Sequence, residues 1–240
     1  MPAKIDPFGA LASLFYPALC AICSDDVQRH EYLCENCRER APRITAPFCA
    51  KCSEPFPGAI TQAFSCANCE NRTLHFDSAV AAYRSRGLVR KLLHEFKYGQ
   101  HRHLRYPLAE WLGETISDPR LRGRGFDLIV PVPLHPARER ERGFNQATLL
   151  AELLAGKIGV PLRPVLERIR YTRTQTAHDR AERMENLRDA FRLRKKVDVR
   201  QLRVLLIDDI LTTGSTLSEC ARVLKEAGAI SVHAATAARA

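Results

Sequence analysis

The C-terminal two thirds of the chain alternates short apolar runs with stretches in which apolar residues recur every three or four positions. Short apolar runs are typical of buried strands, and the recurring positions are typical of helices that pack against them. The predicted strands are 76–83, 127–132, 204–208 and 230–236. The predicted helices are 87–97, 108–116, 146–158 and 216–227. This alternation predicts an α/β fold with a parallel sheet covered by helices, and ligands at the carboxyl ends of its strands.

One long stretch, 167–196, lacks this apolar period and is dense in arginine. We therefore predict a long, mobile excursion there, because loops of that length inside a compact domain are often functional. In the helix predicted after it, Leu217, Cys220 and Leu224 share one face, which places this cysteine in the core.

The other eight of the nine cysteines form four C-x-x-C pairs ahead of the alternating region. Intervals of 10, 11 and 13 residues separate the pairs Cys20 and Cys23, Cys34 and Cys37, Cys49 and Cys52, and Cys66 and Cys69. Two such pairs supply the four thiolates of a tetrahedral zinc site, with Zn–S distances of about 2.3 Å. Four thiolates leave no open position for water or substrate, so we predict two structural zinc ions.

Two alternatives bear on these cysteines. Disulfide bonds are disfavoured because nothing indicates export, and a reducing cytosol does not maintain them.

The four pairs can share the ions consecutively, first with second and third with fourth, or in a cross-brace that joins the first with the third. Cross-braces usually go with unequal intervals, so consecutive sharing is favoured. Since the segment is too polar to fold on a core of its own, its folding should depend on the metal.

The charge of the chain is unevenly distributed. The formal net charge is +10, yet residues 1–78 hold 7 basic and 9 acidic side chains. Residues 79–240 hold 30 basic and 18 acidic side chains, and 157–203 alone hold 14 and 6. This excess indicates either a solvated basic face or a site for phosphate, pyrophosphate or nucleic acid. No apolar run approaches the roughly 20 residues of a membrane span, and a cytoplasmic protein without membrane insertion is expected.

The strongest chemical signal is the string VLLIDDILTTGST at 204–216. A buried strand delivers two adjacent carboxylates, Asp208 and Asp209, which can accept from sugar hydroxyls or face a hydrated Mg²⁺ ion. A helix N-terminus with a glycine and hydroxyl side chains is suited to bind a phosphate. The residues of this turn are Thr212, Thr213, Gly214, Ser215 and Thr216. An Asx turn with a helix cap would explain the turn, but not two acids at the end of a buried strand.

That string resembles the phosphoribosyl pyrophosphate (PRPP) motif of type I phosphoribosyltransferases, and nearly the whole chain resembles the ComF/GntX family. Besides the cysteine pairs, the resemblance is carried by Phe15-Tyr16-Pro17, Glu95-Phe96-Lys97-Tyr98, Pro131-Val132-Pro133-Leu134-His135, Arg138, Arg142-Gly143-Phe144-Asn145-Gln146, Thr172, Gln175, Arg183, Asn186 and Ala190-Phe191. It implies a double zinc ribbon domain over 1–75 and a phosphoribosyltransferase-like domain of type I fold over 76–240. Ser53 stands where the family usually has glycine, which predicts strain in that turn.

The resemblance also implies roles for individual residues. Asp208 and Asp209 would bind the ribose hydroxyls of PRPP, and 212–216 would hold its 5′-phosphate. Arg138 and Arg142 follow a turn that resembles the pyrophosphate loop, and with the two acids they are the expected catalytic residues. Further candidates for pyrophosphate contact are Lys97 and Arg183. The stretch 168–191 resembles the flexible hood that closes over PRPP, and Mg²⁺ is expected to enter with PRPP.

Two functions follow as hypotheses. The first is a phosphoribosyltransferase, a glycosyltransferase that joins ribose 5-phosphate from PRPP to an unidentified acceptor and releases pyrophosphate. The second is a non-catalytic protein of natural transformation (competence) that binds single-stranded DNA or a partner such as a DNA-uptake helicase. The two acids favour the first, because a site for DNA alone would gain nothing from carboxylates. Few aromatics in the basic region, Tyr171 and Phe191, also argue against a base-stacking platform.

Overall fold

The computed structural model describes residues 18–29, 31–58, 62, 64–171 and 187–240. The strands are β1 (Ala79–Arg84), β2 (Leu128–Pro131), β3 (Leu166–Arg168), β4 (Phe191–Leu193), β5 (Arg203–Leu211) and β6 (Ser231–Arg239). The helices are α1 (Glu35–Glu39), α2 (Ala67–Glu70), α3 (Gly87–Tyr98), α4 (Arg105–Glu114), α5 (Pro136–Arg142), α6 (Gln146–Ile158) and α7 (Ser215–Glu226). Short 3-10 turns cover Arg102–Leu104 and Thr115–Ser117. Within the described ranges, no helix has both the length and the apolarity to cross a bilayer.

Four parallel strands form the main sheet in the order β1-β6-β5-β2, which confirms the predicted fold class. Strand β5 lies in its interior, and its side chains alternate between two cores. Leu205 and Ile207 pack with helices α3, α4 and α6 on one face. Val204 and Leu206 pack with α7 on the other, where Cys220 is fully buried as predicted.

Strand β5 is longer than its apolar run indicated. The prediction ended it at 208, whereas the strand continues to Leu211 because β6 pairs with it that far. Its other neighbour, β2, stops where Pro131 pairs with Ile207. The last bond between the two strands runs from the N–H of Val132 to the carbonyl of Ile207 at 2.9 Å, and the chain leaves the sheet after it. The carboxyl end of β5 is therefore open on the β2 side, beginning at Asp208.

The arginine-rich stretch 167–196 carries regular structure that the sequence prediction missed. Strands β3 and β4 pair antiparallel, with Leu166 opposite Leu193 and Arg168 opposite Phe191. The two ends of the predicted excursion over 167–196 therefore belong to a small sheet, and the excursion is shorter than predicted. The segment between them, 172–186, lies outside the described residues, and so does Arg183.

The cysteine-rich segment packs directly on the α/β unit. We call 18–43 the first ribbon and 47–72 the second ribbon. Cys20, Leu33 and Cys37 of the first ribbon are buried in the core of α3 and α4. Cys49 and Cys52 of the second ribbon are buried in the core of α7. Each ribbon thus covers one face of the sheet, and the domain boundary at residue 75 stays a prediction.

The serine that replaces glycine in the second ribbon is compensated by hydrogen bonds. Ser53 has a φ of 59°, in the left-handed region that favours glycine. Its side chain is buried, and its hydroxyl donates to the carbonyl of Ala79 at 3.0 Å. The same oxygen accepts from the N–H of Ala81 at 3.3 Å. The strained backbone predicted at Ser53 is therefore accompanied by two hydrogen bonds that join the second ribbon to β1.

Candidate functional site

The eight paired cysteines form two separate clusters of four. Cys20, Cys23, Cys34 and Cys37 make one, and Cys49, Cys52, Cys66 and Cys69 make the other, with the sulfurs of each cluster within 4.8 Å of one another. The Sγ atoms of Cys23 and Cys34 are 3.6 Å apart, as are those of Cys52 and Cys66. A tetrahedron with metal–sulfur bonds of about 2.3 Å has edges of about 3.8 Å, so the thiolates fit zinc. This confirms consecutive sharing and two structural zinc sites.

Two adjacent carboxylates lie at the open end of β5 and leave the strand on opposite faces. Asp209 faces α3, and its Oδ2 lies 2.8 Å from the ammonium of Lys97 in the last turn of that helix. Its side chain is only 7% exposed. The sequence analysis assigned Lys97 to pyrophosphate, whereas its partner in this structure is a carboxylate. The ammonium of Lys97 offsets part of the cost of burying the Asp209 carboxylate.

Asp208 faces the opposite side of the sheet, towards α7 and β3. Its Oδ1 accepts a hydrogen bond of 2.9 Å from the backbone N–H of Asp209. Burial and then the neighbouring Asp209 charge raise the pKa of Asp208 from 3.8 to about 7, against the opposing pull of Lys97. A carboxyl with such a pKa changes its protonation near neutrality, so a cation or a hydrogen-bond donor that binds there would favour its ionised form.

The turn 212–216 links β5 to α7 and ends in an uncapped helix N-terminus. Gly214 has a φ of 78°, and a Cβ there would lie 3.3 Å from the ring of Phe76, so only glycine suits the position. The N-cap residue Gly214 has no side chain to cap α7, and the hydroxyl of Thr213 accepts only a long bond of 3.4 Å from the N–H of Ser215. The hydroxyls of Thr213 and Ser215 are 2.8 Å apart, which concentrates donors beside the first amides of the helix. The serine thus fits the motif, and the turn has the chemistry of an anion site.

The two predicted arginines lie on α5, which follows β2 after the turn at 132–135. Arg142 donates to Oε1 of Gln146 at 3.1 Å and stacks over the ring of Tyr98 at 5.1 Å. Arg138 stacks over Tyr171 at 5.7 Å. Both helix and turn extend from the end of β2, the side on which β5 is open. The arginines are therefore on the element that borders the open end.

A third arginine, which the sequence analysis did not single out, joins this group. Arg168 of β3 stacks over Phe191 at 5.3 Å. Burial lowers its pKa, and Arg138, Arg142 and Asp208 lie close enough for their charges to act on that pKa. The residue was hidden in the arginine-rich stretch, because only the pairing of β3 with β4 distinguishes it from its neighbours. Arg168 of β3 thus lies near both Asp208 and the two arginines of α5.

Both parts of the chain match known families. Residues 11–72 match the model of the double zinc ribbon domain, and residues 144–240 match that of the phosphoribosyl transferase domain. Competence protein F of Haemophilus influenzae is 31% identical over 203 residues, 82% of this chain and 85% of that protein. DNA utilization protein YhgH of Salmonella typhimurium is 32% identical over 225 residues, 92% of this chain and 96% of that protein. The adenine phosphoribosyltransferase structure from Thermoanaerobacter pseudethanolicus is 20% identical, with a TM-score of 0.36, over 57% of this chain and 70% of that chain.

The raised pKa of Asp208 predicts a pH-dependent stability. The pKa of this carboxyl is 3.8 in the unfolded chain and about 7 in the folded protein. Between these two pH values the unfolded chain ionises more readily than the folded protein, so the free energy of unfolding falls as the pH rises. Asp208→Asn removes this cost. In denaturant unfolding of the zinc-loaded protein, we expect its stability advantage over wild type to grow by about 2 kcal/mol between about pH 5.5 and about pH 8.5, at about 1.4 kcal/mol per unit.

The control is Asp198→Asn. Asp198 is exposed, and its ion pair with Arg200 lowers its pKa to about 2, so this variant should gain nothing as the pH rises. A stability advantage of Asp208→Asn that does not change over this pH range would show that Asp208 is an ordinary carboxylate.

Proposed function

Because this chain belongs to the ComF/GntX family, we propose that its α/β unit binds PRPP and transfers ribose 5-phosphate to an acceptor. The observation that carries the proposal is the carboxyl end of β5. There two adjacent acids lie where the sheet is open beyond β2, and the turn that leads into α7 follows within three residues of Asp209. Carboxylates and an anion site side by side match a sugar that carries both hydroxyls and a phosphate. DNA offers no group that would need the two acids.

Each part of PRPP has a place in this arrangement. The ribose hydroxyls donate to Asp208 and Asp209, and the 5′-phosphate accepts from the amides and hydroxyls of 212–216. The pyrophosphate then extends towards Arg138 and Arg142 on α5, with Arg168 on the β3 side. Guanidinium groups pair with phosphate oxygens through two parallel hydrogen bonds, which suits arginine to this position.

Mg²⁺ fits the same end of the sheet, because carboxylate oxygens and phosphates are its preferred ligands. Asp208, with its raised pKa, would be the first of the two acids to gain from a cation nearby. The ion would supply positive charge to the pyrophosphate. We propose no further role for it.

The transfer needs little covalent help from the protein. The bond between C1 of the ribose and the pyrophosphate oxygen breaks, and its electron pair leaves with the pyrophosphate. The acceptor forms the new bond to C1 and loses its proton. The arginines stabilise the charge that develops on the leaving group.

PRPP binding is the direct test. In calorimetry and thermal-shift titrations of the zinc-loaded protein with excess Mg²⁺, wild type should bind PRPP and release pyrophosphate once an acceptor is supplied. Asp209→Asn should weaken PRPP binding at least about tenfold, because charge-assisted hydrogen bonds contribute about 1.5–3 kcal/mol.

Asp127→Asn is the matched control. Asp127 pairs with Arg203 beside the amino-terminal end of β5, so this variant should bind PRPP like wild type. If wild type is not stabilised by PRPP at about 1 mM, a concentration at which even weak specific ligands bind, the substrate assignment is wrong.

Single-stranded nucleic acid is the second candidate ligand, favoured by a column of stacked rings. Tyr32 of the first ribbon stacks between His103 and Tyr106, with ring centroids 5.4 and 5.3 Å away. His101 continues the column at 5.5 Å, and the guanidinium of Arg105 lies 4.9 Å over the ring of Tyr106. The sequence analysis missed this group because its members come from distant segments. Aromatic faces beside arginine are what bases stack on.

The relatives' names point in the same direction, since one is a competence protein and another a DNA utilization protein. We propose that this column binds DNA strands in the cytoplasm, where a DNA-uptake helicase would be the natural partner. This activity is compatible with PRPP binding, because the column and the end of β5 share no residue.

Fluorescence anisotropy with a labelled oligothymidine tests the second candidate. Tyr106→Ala should weaken binding about fivefold or more, because one base–aromatic stack contributes about 1–3 kcal/mol. Affinity should also fall steeply with salt. Phe56→Ala removes an exposed ring of the second ribbon and should leave binding unchanged. Equal affinities for both variants would exclude the column as the binding site.

A further inference from the structure

We propose that Arg72 of the second ribbon is a positioning residue for the turn 212–216. In this proposal the zinc-loaded ribbon holds the turn in the conformation that binds a phosphate. The inference rests on the proposed function for the identity of the ligand. It concerns a residue that neither the PRPP motif nor the cysteine pattern contains.

The contacts between the second ribbon and the turn converge on one carbonyl. Asn68 lies between two zinc ligands, and its Nδ2 donates to the carbonyl of Thr213 at 3.3 Å. Arg72 donates to the same carbonyl at 3.4 Å and to Oδ1 of Asn68 at 2.7 Å. Its other terminal nitrogen donates to the hydroxyl of Ser215 at 2.8 Å. A single guanidinium thus joins the ribbon to both sides of Gly214.

The direction of this carbonyl fixes the direction of an amide. The carbonyl of Thr213 and the N–H of Gly214 belong to one planar trans peptide, so they point in opposite directions. Because the ribbon holds the carbonyl, the N–H must face away from the ribbon, towards the side where an anion can bind. Glycine makes the reverse orientation accessible at little cost, so a turn containing Gly214 needs an outside restraint. Asn68 and Arg72 supply that restraint.

A second arginine ties the start of the turn to the same ribbon. Arg239 is buried, and it donates to the carbonyls of Leu211 at 3.1 Å and of Thr212. Its other nitrogen pairs with Glu54 of the second ribbon and lies 4.0 Å from Sγ of Cys52. The start of the turn is therefore linked to the ribbon through Arg239 of β6, and its later residues are linked directly through Asn68 and Arg72. Loss of the zinc would free the ribbon residues that make these links, Glu54, Asn68 and Arg72, from their positions.

The test compares three variants of the full zinc-loaded chain. In Arg72→Ala, the ligand-free protein should show about tenfold faster hydrogen exchange over 212–216, and Mg²⁺-PRPP should bind about tenfold more weakly, because two hydrogen bonds to the turn are lost. Arg72→Lys should fall in between, since one ammonium cannot reproduce the fork of a guanidinium. Arg38→Ala removes an ion pair to Glu110 that joins the first ribbon to α4, and it should change neither quantity.

The two measurements separate the outcomes. If Arg72→Ala and Arg38→Ala give the same exchange and the same PRPP affinity, Arg72 does not position the turn. If wild type fails to bind PRPP while Arg72→Ala still accelerates exchange over 212–216, the proposed function is wrong and the positioning role stands. Should Arg72→Ala lose zinc, Arg72→Lys decides, since it keeps a cation at this position and removes the fork that joins Thr213 to Ser215. Unchanged exchange in that variant overturns the proposal.

Discussion

The bonds between zinc and the four thiolates of the second ribbon are the constraint on which the site depends. That ribbon has little apolar material of its own, so the metal fixes its conformation. Four thiolates and one zinc ion carry a net charge of −2, and cations lie around it. Arg239 approaches Cys52, and Arg120 donates to the backbone carbonyl of Cys49 at 3.3 Å. Arg239 also contacts the turn 212–216, so in the proposed function the metal site and the anion site share one network.

The carboxylates at the end of β5 impose the opposite condition, a cost in stability. Two adjacent acids in a nearly closed site repel each other and lose hydration, and one ammonium cannot compensate both. In the proposed function, a ligand that brings hydroxyl donors and a cation to the site offsets this cost. Sites of this kind are commonly less stable than the fold could be without them. The raised pKa of Asp208 is the direct expression of that cost.

The sequence predicted those features that depend on local pattern. The helix at 146–158 was predicted at its observed bounds because its apolar periodicity is local, and in the structure Asn145 caps it. The cysteine clusters followed from spacing, and the acids and the turn followed from a contiguous string. Contacts between residues that are far apart in the sequence could not be predicted. Arg72 and Ser215 are 143 residues apart, and nothing near Arg72 distinguishes it from a solvated arginine.

Zinc content and PRPP affinity measured on the same samples test the central claim that the second ribbon completes the anion site. A zinc-selective chelator would be titrated into the full-length protein in excess Mg²⁺, with zinc re-addition at the end. The predicted result is two zinc ions per chain at the start, loss of PRPP affinity as zinc leaves the second ribbon, and recovery on re-addition. PRPP affinity that is unchanged in the zinc-free chain would contradict it.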